Sequence, residues 1–131
     1  MVAVPSDIAA IAADKATTKM LVTVSADGQP HAIVCGSLGI NGDKVIVGEI
    51  LMKRASANLK ANGKAAMSFA AGPKAYELVL KNAKRSDSGP AFDNMKAAMA
   101  KANLPCFAVW EFDVAEIWNE SAGPDAGKKV A

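Results

Sequence analysis

Two adjacent cations mark the most chemically suggestive stretch of the sequence, Gly48-Glu49-Ile50-Leu51-Met52-Lys53-Arg54-Ala55-Ser56-Ala57-Asn58-Leu59. The pattern reads as a strand handing over to a helix, with Lys53 and Arg54 in the helix's first turn. The N-terminal end of a helix dipole is positive, so basic residues there are unfavourable by about a few tenths of a kcal/mol each. A bound anion reverses the sign, because free backbone N–H groups, the dipole and both side chains then converge on one negative group. Ser56 adds a hydroxyl donor. The competing reading is a solvated pair of surface charges, and the pattern alone leaves the two open.

The rest of the reactive inventory is short. His31 is the one histidine, so zinc sites needing two or three imidazoles and a two-histidine iron triad are excluded for a single copy. Cys35 and Cys106 lie 71 residues apart, each within an apolar run and neither in a CxxC pair. They read as buried reduced thiols rather than a disulfide framework. His31 follows Pro30 at a strand start and reads as partly exposed. No G-x-x-x-x-G-K-[ST] and no G-x-G-x-x-G between strand and helix occurs, which disfavours a P-loop enzyme and a dinucleotide-binding Rossmann domain.

The elements that must position these residues follow from period and punctuation. Residues 5–16 start with Pro-Ser-Asp and carry Ile8, Ile11 and Ala12 at helical spacing, predicting a short amphipathic helix. MLVTVS at 20–25 predicts a strand running into a turn at 26–29, and HAIVCGSLGI at 31–40 a second strand. Asn41-Gly42-Asp43 is a hairpin turn leading into KVIVGEI at 44–50. These three strands are expected to form one meander. Residues 52–63 predict a helix with Ala55 and Leu59 on one face and Gly63 just beyond its end. Strands follow at 64–70 and 75–85. A helix at 91–103 carries an apolar stripe of Phe92, Met95, Met99 and Ala102, and 106–119 is a long final strand. Six strands with two or three short helices imply an α+β fold around an antiparallel sheet. In so short a chain, closure or near closure into a barrel protects the sheet edges. Gly36, Gly39 and Gly48 inside strands fit either sharp bending or close approach of a ligand to the backbone.

Composition agrees. At 131 residues the chain is expected to be a single domain spanning 1–131. It is 51% apolar, but roughly a fifth is alanine and only 5% is aromatic, enough for one compact core. A net charge of +2 implies neither a nucleic-acid nor a membrane partner. No apolar run reaches the roughly 18–20 residues of a membrane-spanning helix, and Asp7 and Asp14 interrupt any signal-peptide pattern. A cytoplasmic protein is expected.

From Met20 to Leu59 the strand, DG turn, QPH strand start, NGDKVIV hairpin and KRASANLK helix together resemble the FMN-binding split-barrel family. That group includes pyridoxamine 5′-phosphate oxidase and many small flavoproteins. The similarity continues through GKAAMSFA, LVLKNA, SGPAF and GPDAGK, so it covers nearly the whole chain. It implies an antiparallel six-stranded split β-barrel with two or three short helices and non-covalently bound FMN. In the short members a lysine-threonine pair and a following asparagine hold the phosphate. Here Arg54 stands at the lysine position, Asn58 at the asparagine and Ala55 where threonine is usual, with Lys53 and Ser56 as replacement donors.

The resemblance also implies that backbone groups of Val34, Cys35, Gly36 and Ser37, and of Val47, Gly48 and Glu49, line the flavin. A homodimer with FMN at the interface is implied as well, with Trp110 and Trp118 the candidates to reach the ring; each also reads as core or dimer packing. The implied function is that of an FMN-dependent oxidoreductase or electron-transfer protein. The alternative is a module that binds or stores flavin or haem without turnover. The basic C-terminal motif of the pyridoxamine-phosphate oxidases is not found, so that specific reaction is not expected, and no substrate or redox partner is implied.

Overall fold

A computed structural model describes residues 1–131. Eight strands and three helices follow one another along the chain. They are α1 (Ser6–Ala13), β1 (Thr18–Val24), β2 (Pro30–Val34), β3 (Gly39–Asn41), β4 (Lys44–Glu49), α2 (Lys53–Asn62), β5 (Ala65–Ala71), β6 (Lys74–Ser86), α3 (Pro90–Ala100), β7 (Ala108–Asn119) and β8 (Lys128–Lys129). The strands form one antiparallel sheet in the order β2-β1-β5-β6-β7-β4-β3, with β8 added beside β7.

The six long strands lie where period and turns place them. The expected single strand over 31–40 is instead two, and the expected meander is two separate hairpins. Gly39 pairs with Ile46 on β4, whereas Val34 pairs with Met20 on β1. β2 and β3 therefore sit at opposite edges of the sheet although only Cys35–Leu38 separate them. Their separation has a geometric consequence. Six steps of about 4.8 Å would put the edges of a flat seven-stranded sheet nearly 30 Å apart. Five residue steps from Val34 to Gly39 reach at most about 18 Å. The sheet must curl until its edges face each other.

They meet without a continuous ladder. The Ser37 hydroxyl donates to the Gly48 carbonyl and accepts from the Gly48 N–H, both at 3.2 Å. This side-chain bridge ties the β2–β3 connection to β4, while β2 and β3 themselves share no ladder, so the sheet stays split.

The core fills the curl. Leu21, Val45, Val47, Met67, Phe69, Leu78, Phe112, Val114 and Ile117 are sealed from solvent, and Ile8 and Ala12 of α1 pack onto the same cluster. The α2 helix docks through Ala55 and Leu59, and Gly63 ends it at φ 68°, a left-handed conformation that a side chain would oppose. By contrast α3 buries no residue, although its apolar stripe faces inward over β4 and β7.

Candidate functional site

The helix α2 begins at Met52 without a side-chain cap, and its first turn carries no acid. The N–H groups of Lys53, Arg54 and Ala55 have no intrahelical partners, as at any helix start. Lys53 and Arg54 are exposed and take part in none of the chain's ion pairs. The unfavourable placement visible in the sequence is therefore not relieved from within the protein.

Beside this helix start opens a cleft of about 330 Å³, lined by residues 33–37, by Gly48, Ile50, Leu51 and Met52, and by Met99 near the end of α3 with Ala102 and Leu104 just beyond it. Val34, Cys35, Gly36, Ser37 and Gly48 thus border one cleft. The lining is mostly aliphatic, and Cys35 is its one ionisable side chain. Its thiol is half-buried and lies 3.3 Å from the Ser37 hydroxyl. A side chain at Gly36 would meet nothing within 4 Å, so its backbone borders open space. Gly48 is different. A Cβ there would lie 2.8 Å from Cγ of Met95, so the close approach that this glycine permits belongs to α3 of the same chain.

Glu49 lies outside this lining, and its side chain is engaged within the chain. Its carboxylate accepts from Arg85 Nε (3.1 Å) and a terminal guanidinium nitrogen (2.8 Å), from the Ser56 hydroxyl (2.8 Å) and from Trp110 Nε1 (3.0 Å). The Arg85 hydrogen bonds, followed by those from Ser56 and Trp110, outweigh its partial burial and hold its pKa down to about 2. This cluster ties the end of β4 to α2, to the end of β6 and to β7.

The phosphate-holding set expected on α2 is divided by these contacts. Ser56, buried, is turned to Glu49, and the Asn58 amide donates to Thr23 Oγ1 of β1 at 3.0 Å. Arg54, one turn before Asn58, remains free, as does Lys53, which faces a second groove with Ser56, Lys60 and Phe107. The Val47 side chain lies wholly in the core. Trp110 is buried and bonded to Glu49, while Trp118 is half-buried on β7 opposite Lys129 of β8. Of the two cysteines expected to be buried, Cys106 is, and burial pushes its thiol pKa up; Cys35 opens onto the cleft. His31 is part-exposed on β2 and outside the cleft lining.

Arg85 escaped the sequence reading, as did the roles of Met95 and Met99. The α3 stripe was visible, but not the β4 surface beneath it. Arg85 had only a weak signal, a basic residue closing an alternating strand.

A scan against protein-family models matches the family described as pyridoxamine 5′-phosphate oxidase over residues 8–121. No curated protein matches the sequence significantly. Among solved structures the fold is similar to HupZ of Group A Streptococcus, at 23% identity and a TM-score of 0.79, covering 95% of this chain and 99% of that one. It is also similar to an FMN-binding protein from Syntrophomonas wolfei (21% identity, TM-score 0.74, 85% and 81% covered). A third is HutZ, the haem storage protein of Vibrio cholerae (16% identity, TM-score 0.66, 92% and 97% covered). These structures share the curled sheet, and the family's sequence pattern runs from Ile8 to Ser121. The chain belongs to the pyridoxamine 5′-phosphate oxidase family.

Proposed function

We propose that the protein binds FMN non-covalently and acts as a small oxidoreductase or electron-transfer protein. One observation carries the reading: an aliphatic cleft opens beside an uncapped helix start whose two cations lack anionic partners. The charges support it. Glu49 and Arg85 cancel each other, leaving Lys53, Arg54 and three free N–H groups as the local positive field. Those groups suit a phosphate, and the open backbone at Gly36 with its aliphatic neighbours suits a flat ring.

When bound, FMN supplies the redox chemistry. The chain's part is to hold the phosphate at Lys53 and Arg54, to orient the ring by backbone groups at 34–37 and Gly48, and to exclude water with Ile33, Met52 and Met99. A second copy is expected to complete the enclosure. Val34, Leu51 and Leu104 are 71, 80 and 39% exposed around the cleft, an apolar rim suited to a homodimer with FMN at the interface. Trp110 is enclosed, so Trp118 is the tryptophan with surface to offer that partner.

A second reading, binding or storage without turnover, is favoured by the lining itself, which offers no carboxylate, imidazole or amine to move a substrate proton. In its haem form this reading finds no imidazole there, because His31 lies outside the cleft.

FMN titration followed by flavin fluorescence tests the main reading. Saturable quenching is expected, and Arg54→Ala should weaken binding by about 1–3 kcal/mol, the scale for a charged hydrogen bond. A colourless protein that leaves FMN fluorescence unchanged overturns it. Anaerobic mixing of the loaded protein with NADH or NADPH separates the two readings: rapid bleaching indicates turnover, and an unreduced flavin favours storage.

A further inference from the structure

On the other side of the α2 start lies a groove of about 360 Å³, walled from the cleft by Ile50 and Met52, which border both. Phe107, 59% exposed, forms one side. Its ring is not on a loose loop, because the Phe107 N–H donates to the Glu49 carbonyl at 3.0 Å and anchors the residue just before β7. Facing it is the outer surface of α2. Lys53 and Lys60 are seven residues apart, so they lie on one face about 10 Å apart along the axis. Between them stands Ala57, exposed and too small to fill the space. Neither lysine has an acidic partner, and the one carboxylate in the wall, Glu49, is satisfied by Arg85, Ser56 and Trp110.

A fixed aromatic ring, an open floor and two unpaired cations flanking it make a complementary surface for one kind of ligand. We infer that this groove is a second small-molecule site, taking a planar aromatic anion whose ring lies on Phe107 and whose carboxylate or phosphate lies between Lys53 and Lys60. An exposed aromatic ring offers such a ligand a stacking face, and the paired cations select its charge. The volume suits one compact molecule rather than a peptide. Lys53 is shared with the FMN reading, but the site does not rest on that reading, since Phe107 and Lys60 have no part in it.

Titration of the ¹⁵N-labelled full chain with 2-naphthoate tests the inference, with 2-naphthalenemethanol as the uncharged comparator. Saturable shifts are expected at the amides of Ala57 and Phe107 and at the Trp110 indole, which reports through Glu49. The uncharged compound should bind about fivefold or more weakly. Lys60→Glu and Phe107→Ala, both at surface positions, should each weaken naphthoate by roughly five- to tenfold and leave FMN affinity unchanged. Shifts confined to cleft amides such as Gly36 overturn the proposal, as does an unchanged naphthoate affinity in both variants. So does equal loss of FMN and naphthoate in them, which would make groove and cleft one site. Naphthoate binding as expected in a protein that ignores FMN would sink the cofactor reading and leave this one standing.

Discussion

The two helices that flank the cleft are held in opposite ways. Its near side is the start of α2, pinned by Ala55 and Leu59 in the core and by the Glu49 cluster. Its far side is the end of α3, none of whose residues is buried and whose Met95 side chain lies over Gly48 of β4. One wall fixes where charge sits; the other can shift at little cost. A site built this way keeps its anion-facing groups in place while the apolar side adapts to what enters.

The difference can be broken from either side. The largest effect is expected from Leu59→Ala, which removes a core anchor of α2 and should destabilise the fold by about 2–5 kcal/mol in urea unfolding. The matching truncation on α3, Met99→Ala, should cost less than about 1 kcal/mol. Similar losses would show α3 to be as firmly seated as α2.

Next is the carboxylate cluster. Glu49 has an ordinary pKa near 4.5 and a folded value of about 2. The unfolded chain therefore binds its proton first, and the stabilisation is fully present above about pH 4.5 and lost as pH falls towards 2. With Arg85 keeping 33% of its side chain in solvent, the contribution is about 1–3 kcal/mol. Glu49→Gln should lower neutral-pH stability by that amount, and its difference from wild type should shrink between pH 4.5 and 2. A pH-independent difference would assign the effect to packing.

A smaller effect is expected from Gly48→Ala. The added methyl would lie 2.8 Å from Cγ of Met95, so that flexible side chain must shift where it seats α3, costing about 1 kcal/mol. Amide shifts should concentrate in residues 90–104, and adding Met95→Ala should restore stability. Shifts centred on β4 instead would mean that the strand, not the helix, gives way.

Local chemistry was legible in the sequence. Asn41-Gly42 marked its hairpin, Gly63 the end of α2, and Lys53 and Arg54 the exposed helix start. Distant pairing was not. Nothing within HAIVCGSLGI says that its halves join opposite sheet edges, since the apolar run resumes beyond Cys35–Leu38 with no proline or Asn-Gly turn to mark the break. Likewise Ser56 and Asn58 have the right types and spacing for phosphate donors. Their partners Glu49 and Thr23 lie on other elements, Thr23 being 35 residues away. Arg85 meets Glu49 across 36 residues, a contact that only the register of β6 on β7 creates.

The four-residue crossing at Cys35–Leu38 also fixes the order in which the molecule can be assembled. The β3–β4 hairpin pairs with no other strand in the first half of the chain; it joins the sheet only through β7, where Val47 meets Trp110. Every residue of the cleft apart from those near α3 is made early, yet the cleft has no shape until residues 108–119 arrive. Long-range pairing of this kind slows folding, because loop closure must precede the contacts that reward it. During synthesis on a ribosome, the site is encoded first and formed last.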